Sequence, residues 1–187
     1  NLPAKDATVS PVEETSPGVY QAIVTAGTRA GTVTVASSFN DTALPEIAIS
    51  QQADNSTGRI TSDSIIVNTD NSVANNTAVN TVTATITDAA GNKLANVPVT
   101  FSLSGSATVA AGSALNAVTD DKGVASVAFV NKVAETVKVT ATLANGNSGS
   151  VDSRFVADST TAAISSSGDI TVDKTTVIAN GSDAATF

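Results

Sequence analysis

From Val79 onward the chain alternates. In "VNTVTATIT" (Val79–Thr87), Val82, Ala84 and Ile86 fall on one side, with Thr81, Thr83, Thr85 and Thr87 on the other. A period of two predicts a half-buried strand. The pattern returns in "VPVTFSL", with Val97, Val99, Phe101 and Leu103 inward, and behind Gly123, with Ala125, Val127 and Phe129 inward. It returns again in "TVKVTATL", with Val137, Val139, Ala141 and Leu143 inward. Pro98 lacks an amide proton, so it must begin its strand or lie on a sheet edge. Turn clusters separate the strands: "DAAGNK" (Asp88–Lys93), where Gly91-Asn92 supplies positive φ, and "TDDKG" (Thr119–Gly123). No segment carries a 3.6-residue period. Strands and turns in this rhythm predict an antiparallel sandwich.

The chain also says the same thing twice. "ETSPGVYQAIVT" (Glu14–Thr25) is a degraded copy of "TDDKGVASVAFV" (Thr119–Val130). "AGTVTV" (Ala30–Val35) answers "AETVKV" (Ala134–Val139), "QAD" ending at Asp54 answers "VAD" ending at Asp158, and "VANN" (Val73–Asn76) answers "IANG" (Ile178–Gly181). All four spacings are 104 or 105 residues, the size of one immunoglobulin-type sandwich. The prediction is an all-β chain of tandem immunoglobulin-like antiparallel β-sandwiches, one complete and two partial. Residues 1–53 form the back of one repeat, 54–157 a whole repeat, and 158–187 the opening of a third.

Phe187 then falls opposite Val82, inside a predicted strand. Gly18 and Gly123 are expected to end tight turns in the left-handed region, with a central strand behind each. At about 1.5–3 kcal/mol per buried Val or Phe, three inward side chains rival a net stability of about 5–15 kcal/mol. The links "QQADNSTGRI" (Gln51–Ile60) and "FVADSTTAAI" (Phe155–Ile164) are neither Gly/Ser tracts nor Pro runs. They are expected to leave few residues between strands and to bend little. The half-repeats expose a core face and strand edges, so they are expected to fray or to borrow strands from a second chain.

Charge and composition narrow the function. Nine basic against seventeen acidic residues give a net charge of −8 and a pI near 4.2, which argues against nucleic acid and anionic headgroups as partners. Without Cys there is no disulfide, thiolate or Cys-based zinc site, and without His the commonest transition-metal ligand is missing. No run approaches the length of a membrane-crossing helix, so no direct membrane insertion of this stretch is expected. The first residue is Asn1, and any export signal or anchor is expected outside this stretch.

Candidate chemistry is sparse. Asp120 and Asp121 are adjacent turn acids, whereas paired catalytic carboxylates must converge across a cleft. Asp54, Asp63, Asp158 and Asp169 lie near the repeat junctions, as solvated linker residues or, alternatively, as calcium ligands. Tyr20 aligns with Ala125 and is expected in the core, not on a sugar-binding platform. Asn40, Asn55, Asn75 and Asn180 fit the N-x-[ST] pattern, which this composition produces by accident. Lys5, Arg29, Arg59, Lys93, Lys122, Lys132, Lys138, Arg154 and Lys174 are dispersed and form no patch. No catalytic, cofactor, metal or receptor-binding residue is assigned, and no enzyme is expected.

Together, "VANNTAVNTVTATITDAAGNKLANVPVTF", "TDDKGVASVAF", "AETVKVTATL", "FVAD" and "ITVDKTTVIANGSDAATF" resemble the group 1 bacterial Ig-like domain (Big-1) of the intimin/invasin adhesins, or inverse autotransporters. The first repeat departs most, at Pro17 and Tyr20. The resemblance implies extracellular stalk repeats on a bacterial cell surface, anchored at the outer membrane by a β-barrel outside this stretch. A tip domain, also outside it, would meet a host cell surface or extracellular matrix protein. It also fits the lack of Cys, since early disulfides would obstruct passage through a barrel. Alternatively, the repeats themselves bind host surface or matrix, or each other in self-association. A third reading is an accessory sandwich of an exported enzyme.

Overall fold

Alternation becomes structure only where a strand finds neighbours. In a computed structural model, which describes residues 6–163 and 170–187, the chain divides into two compact units at Val156/Ala157. Lys5 and Asp169 lie outside the described residues.

The first segment forms four small antiparallel pairs. β1 (Thr8–Val9) pairs with β4 (Val24–Thr25), and β2 (Glu13–Ser16) with β3 (Val19–Gln21). β5 (Gly31–Val35) pairs with β8 (Ile47–Gln51), enclosing the hairpin of β6 (Ser38–Phe39) and β7 (Thr42–Ala43). Behind it, β9 (Ile65–Thr69), β11 (Asn80–Thr85), β13 (Thr108–Val109) and β15 (Val124–Val130) build a four-stranded sheet. Facing it is a five-stranded sheet of β10 (Ser72–Val73), β17 (Ser148–Val156), β16 (Thr136–Leu143), β12 (Pro98–Leu103) and β14 (Asn116–Val118).

Asn71, at φ 58°, lets the chain cross from one sheet to the other. β10 then runs parallel to β17, flanked by bonds from Asn71 N to Arg154 O (3.0 Å) and from Ala74 N to Val156 O (2.8 Å). Every other pairing among the described residues is antiparallel. Pro98 begins β12 between two neighbours, where its missing donor costs little.

The inward positions form one core. Val82, Ala84, Ile86, Val99, Phe101, Ala125, Val127, Phe129, Val137, Val139, Ala141 and Leu143 are all buried. Phe155 joins them, its ring meeting Phe129 edge to face with centroids 5.8 Å apart, a geometry that adds about 0.5–1.5 kcal/mol beyond area burial. Gly123 ends its turn at φ +74°, and a β-carbon there would stand 2.8 Å from Ile86 O and 3.0 Å from Leu94 N. Gly18 has the same conformation, φ +79°, in open space.

The repeat spacing reappears as register. Val35 faces Ile47 in the first segment, and Val139 faces Val151 in the sandwich, a displacement of 104 residues on both strands. In the first segment, however, the run behind Gly18 is no central strand. It is a short hairpin arm whose only partner among the described residues is β2, and Tyr20, expected in the core, is 57% exposed. Ala125 is buried because Ala84 of β11 lies beside it; β3 has no such second neighbour among the described residues.

Phe187 departs from expectation for the same reason. Val82 pairs with Val67 on one side and Val127 on the other. Residues 170–187 form no strand, and Phe187 is 93% exposed. The link after β8 also differs. Thirteen residues separate Gln51 from Ile65, not a few, but two single 3₁₀ turns shorten the path. From Gly58 onward they belong to the sandwich: Arg59 bridges Thr87 and buried Ile60 donates to Asn147 Oδ1.

Phe129→Ala is expected to cost about 3–5 kcal/mol in chemical denaturation, the range for a buried aromatic truncated in a close-packed core. Gly18→Ala is expected to cost only left-handed strain, about 1–3 kcal/mol. Gly123→Ala adds a backbone clash and is expected to exceed it clearly in the same measurement.

Candidate functional site: a clasp between consecutive segments

Asp88 ends the run after β11, and Gly91, at φ +88°, folds the chain back so that Asn92 stands beside it. The Asp88 carboxylate lies in the interior of this turn, 2% exposed. Its Oδ1 accepts from Ala90 N (2.9 Å) and Asn92 N (2.8 Å). Its Oδ2 accepts from Asn92 Nδ2 (2.7 Å) and from Asp54 N (3.1 Å) at the end of the link. With its amide thus oriented, Asn92 reaches into the first segment: Nδ2 donates to Thr28 O (2.8 Å) and Oδ1 accepts from Ala30 N (2.9 Å). Thr57 Oγ1 accepts from Ala89 N, and Arg59 Nη2 donates to Ala89 O. One turn therefore holds the preceding segment, the link and its own sandwich.

Burial pushes the Asp88 carboxyl up, but the bonds from the Asn92 side chain and backbone, then from Asp54 and Ala90, outweigh it. The group titrates below the ordinary aspartate value. Asp70, at the crossover between sheets, follows the same balance. Burial raises it, but bonds from Arg154 N and the Ser153 hydroxyl bring it below the ordinary value.

The junction acids act as caps. Asp54 Oδ1 accepts from Ser56 N (2.9 Å) and Ser56 Oγ (2.6 Å), which holds its carboxyl below the ordinary range. Asp158 Oδ1 accepts from Thr160 N (3.0 Å) and Oγ1 (2.6 Å), the same motif 104 residues on. Asp63 is exposed within a 3₁₀ turn. Among the described residues, no three His, Cys, Asp or Glu side chains stand close enough to hold a metal ion.

Asp120 Oδ1 accepts from Lys122 N and Val124 N, closing its own turn, and Asp121 is exposed beside it. Asn75 and Asn180 are engaged in equivalent turns, accepting from Thr77 and Ser182 respectively. Asn40 sits in the β6–β7 turn at φ 47° and Asn55 begins a 3₁₀ turn. Lys138 and Asp152 form an exposed ion pair, and Lys174 pairs with Asp183.

Sequence reasoning missed Asp88 and Asn92 as a pair. "DAAGN" signals a turn, but the groups it seizes are backbone atoms of Thr28, Ala30 and Asp54, which leave no trace in residue types.

Asp88→Asn puts an amide N–H where a carboxylate now accepts, and is expected to lower stability by about 1–3 kcal/mol. The folded values of Asp70 and Asp88 lie below 3.8, so unfolding takes up protons as the medium turns acid. Their contribution is complete above that value and is lost as pH falls through it toward the folded values. Melting temperatures at about pH 6 and about pH 3 are expected to differ, and to differ less in Asp88→Asn.

Known proteins are similar to this chain in sequence and in architecture. The pattern of the bacterial Ig-like domain (group 1) family matches residues 62–156. The inverse autotransporter adhesin YeeJ of Escherichia coli (strain K12) is 34% identical over 143 residues, which is 75% of this chain and 6% of that protein. The chain thus spans a small fraction of that relative's length. Among solved structures, the Escherichia coli adhesin FdeC matches at TM-score 0.60 and 19% identity, covering 81% of this chain and 49% of that one. The D00-D0 domain of intimin matches at TM-score 0.46 and 25% identity, covering 80% and 78%. The all-β sandwich, its buried alternation and the match over residues 62–156 agree: the chain belongs to the bacterial Ig-like domain (group 1) family, in the form carried by intimin/invasin-type adhesins.

Proposed function

We propose that the chain is a section of the stalk of a bacterial surface adhesin. Residues 1–53, 54–157 and 158–187 are then the back of one Ig-like repeat, a whole repeat and the opening of the next. The stalk carries a binding tip away from the cell toward a host cell surface or matrix protein. A region elsewhere in the parent protein exports it and anchors it at the outer membrane.

The observation that supports this most is the Asp88–Asn92 clasp. It spends side chains on fastening one segment to the next, through Thr28 O, Ala30 N and Asp54 N, a use that suits reach better than catalysis. Catalysis is no part of the proposed role. The inverse autotransporter adhesin YeeJ, 34% identical over 143 residues, supports the same reading.

Three measurements test the proposal. Spin labels at Thr32 and Thr140 are expected to give a narrow distance distribution that broadens in Asn92→Ala; equal breadth would remove the mechanical role of the clasp. The chain alone, applied to host cells and matrix proteins, is expected to show no saturable adherence until a tip domain is restored. Saturable binding by the repeats themselves would replace the stalk reading with a binding module. Hydrolytic activity abolished by one carboxylate substitution would overturn both.

A further inference from the structure

The two groups that Asn92 grips have counterparts 104 residues on, at Lys132 O and Ala134 N. The local backbone corresponds: Thr28 and Arg29 bend before β5 as Lys132 and Val133 bend before β16. In the sandwich this bend is fixed from within. Asn131 is fully buried, its Nδ2 donating to Glu135 Oε1 (2.9 Å) and its Oδ1 accepting from Val133 N (2.9 Å). Glu135 Oε1 also accepts from Ser106 N (2.7 Å). Yet Lys132 and Ala134 are exposed residues, and neither Lys132 O nor Ala134 N has a hydrogen-bond partner among the described residues.

We infer that the Lys132–Ala134 bend is a docking edge for the Asp-x-x-x-Asn turn of a further Ig-like repeat set end to end with this one. That turn would bond as Asp88–Asn92 does to Thr28 and Ala30. The occupant is a protein turn of stated chemistry: a buried Asp that orients an Asn amide, which donates to Lys132 O and accepts from Ala134 N. A bend held in its bound shape before the partner arrives loses little freedom on docking. No metal, disulfide or apolar patch is needed, which suits a chain without Cys or His. The inference rests on the stacked-repeat reading above, but specifies atoms that the reading alone does not.

The test duplicates residues 54–157 in tandem within the full chain, so that a second Asp88–Asn92 turn follows the first sandwich through a native link. Amide hydrogen exchange is then read by NMR. Ala30 in the unmodified chain serves as reference, slowed by the clasp and released by Asn92→Ala. In the duplicated chain the Ala134 amide of the first copy is expected to slow on the order of tenfold or more relative to the unmodified chain. Asn92→Ala in the inserted copy alone is expected to abolish that slowing. If the inserted repeat folds, judged by protection of its own Phe129 amide, while Ala134 exchanges as before, the docking edge is refuted and the stalk reading stands. If the inserted repeat cannot fold beside the first, both fail.

Discussion

Two sheets about 10 Å apart must be held together by side chains that are mostly Ala and Val. The space between them is filled because three rings, Phe101, Phe129 and Phe155, lie among the small residues, each almost fully buried. Everything else follows from closing that narrow core at its ends. Asn80, Asp88, Thr119 and Asn131 are polar yet buried, and each sits where a strand gives way to a loop. Asn80 donates to Ser153 Oγ and Arg154 O in the opposite sheet. Thr119 Oγ1 donates to Leu94 O and accepts from Val97 N. Among the described residues no buried side-chain polar atom lacks a partner. Fully satisfied polar groups at the rim fix loop geometry that apolar residues would leave adjustable.

That rim connects fold to function. Asp88 is a rim residue whose hydrogen bonds settle its own turn, and Asn92 extends the same network into the preceding segment. The clasp needs no separate binding element because the residues that close the core have donors and acceptors left over. Asp54 adds a second contribution: its side chain caps a 3₁₀ turn while its amide is held by Asp88. The link is therefore pinned at the point where one segment hands over to the next.

The alternation of Val82, Ala84 and Ile86, or of Val137, Val139 and Ala141, named the buried face correctly because a period of two fixes which side chains share a face. Gly18 and Gly123 were legible because positive φ favours glycine. Tyr20 and Phe187 were misplaced because periodicity assigns a face without saying whether a neighbouring strand exists to cover it. Val19 and Ile23 share that fate, both more than half exposed beside a two-stranded pair. The clasp was illegible for another reason. Asn92 is one Asn in a chain rich in them, and its partners are peptide groups identical at every position.

The parallel contact of β10 with β17 has a mechanical meaning. The chain enters the sandwich ahead of β9, which leads directly into β10, and leaves it at the far end of β17, so in the proposed stalk tension would tug β10 and β17 in opposite senses along their shared axis. The bonds at Asn71, Ala74, Arg154 and Val156 then bear the load side by side and must give way together, as a glued lap joint does, not one after another like an opening zip. A seam of two residues, inconspicuous in area, sits where a pulled module would otherwise begin to unravel.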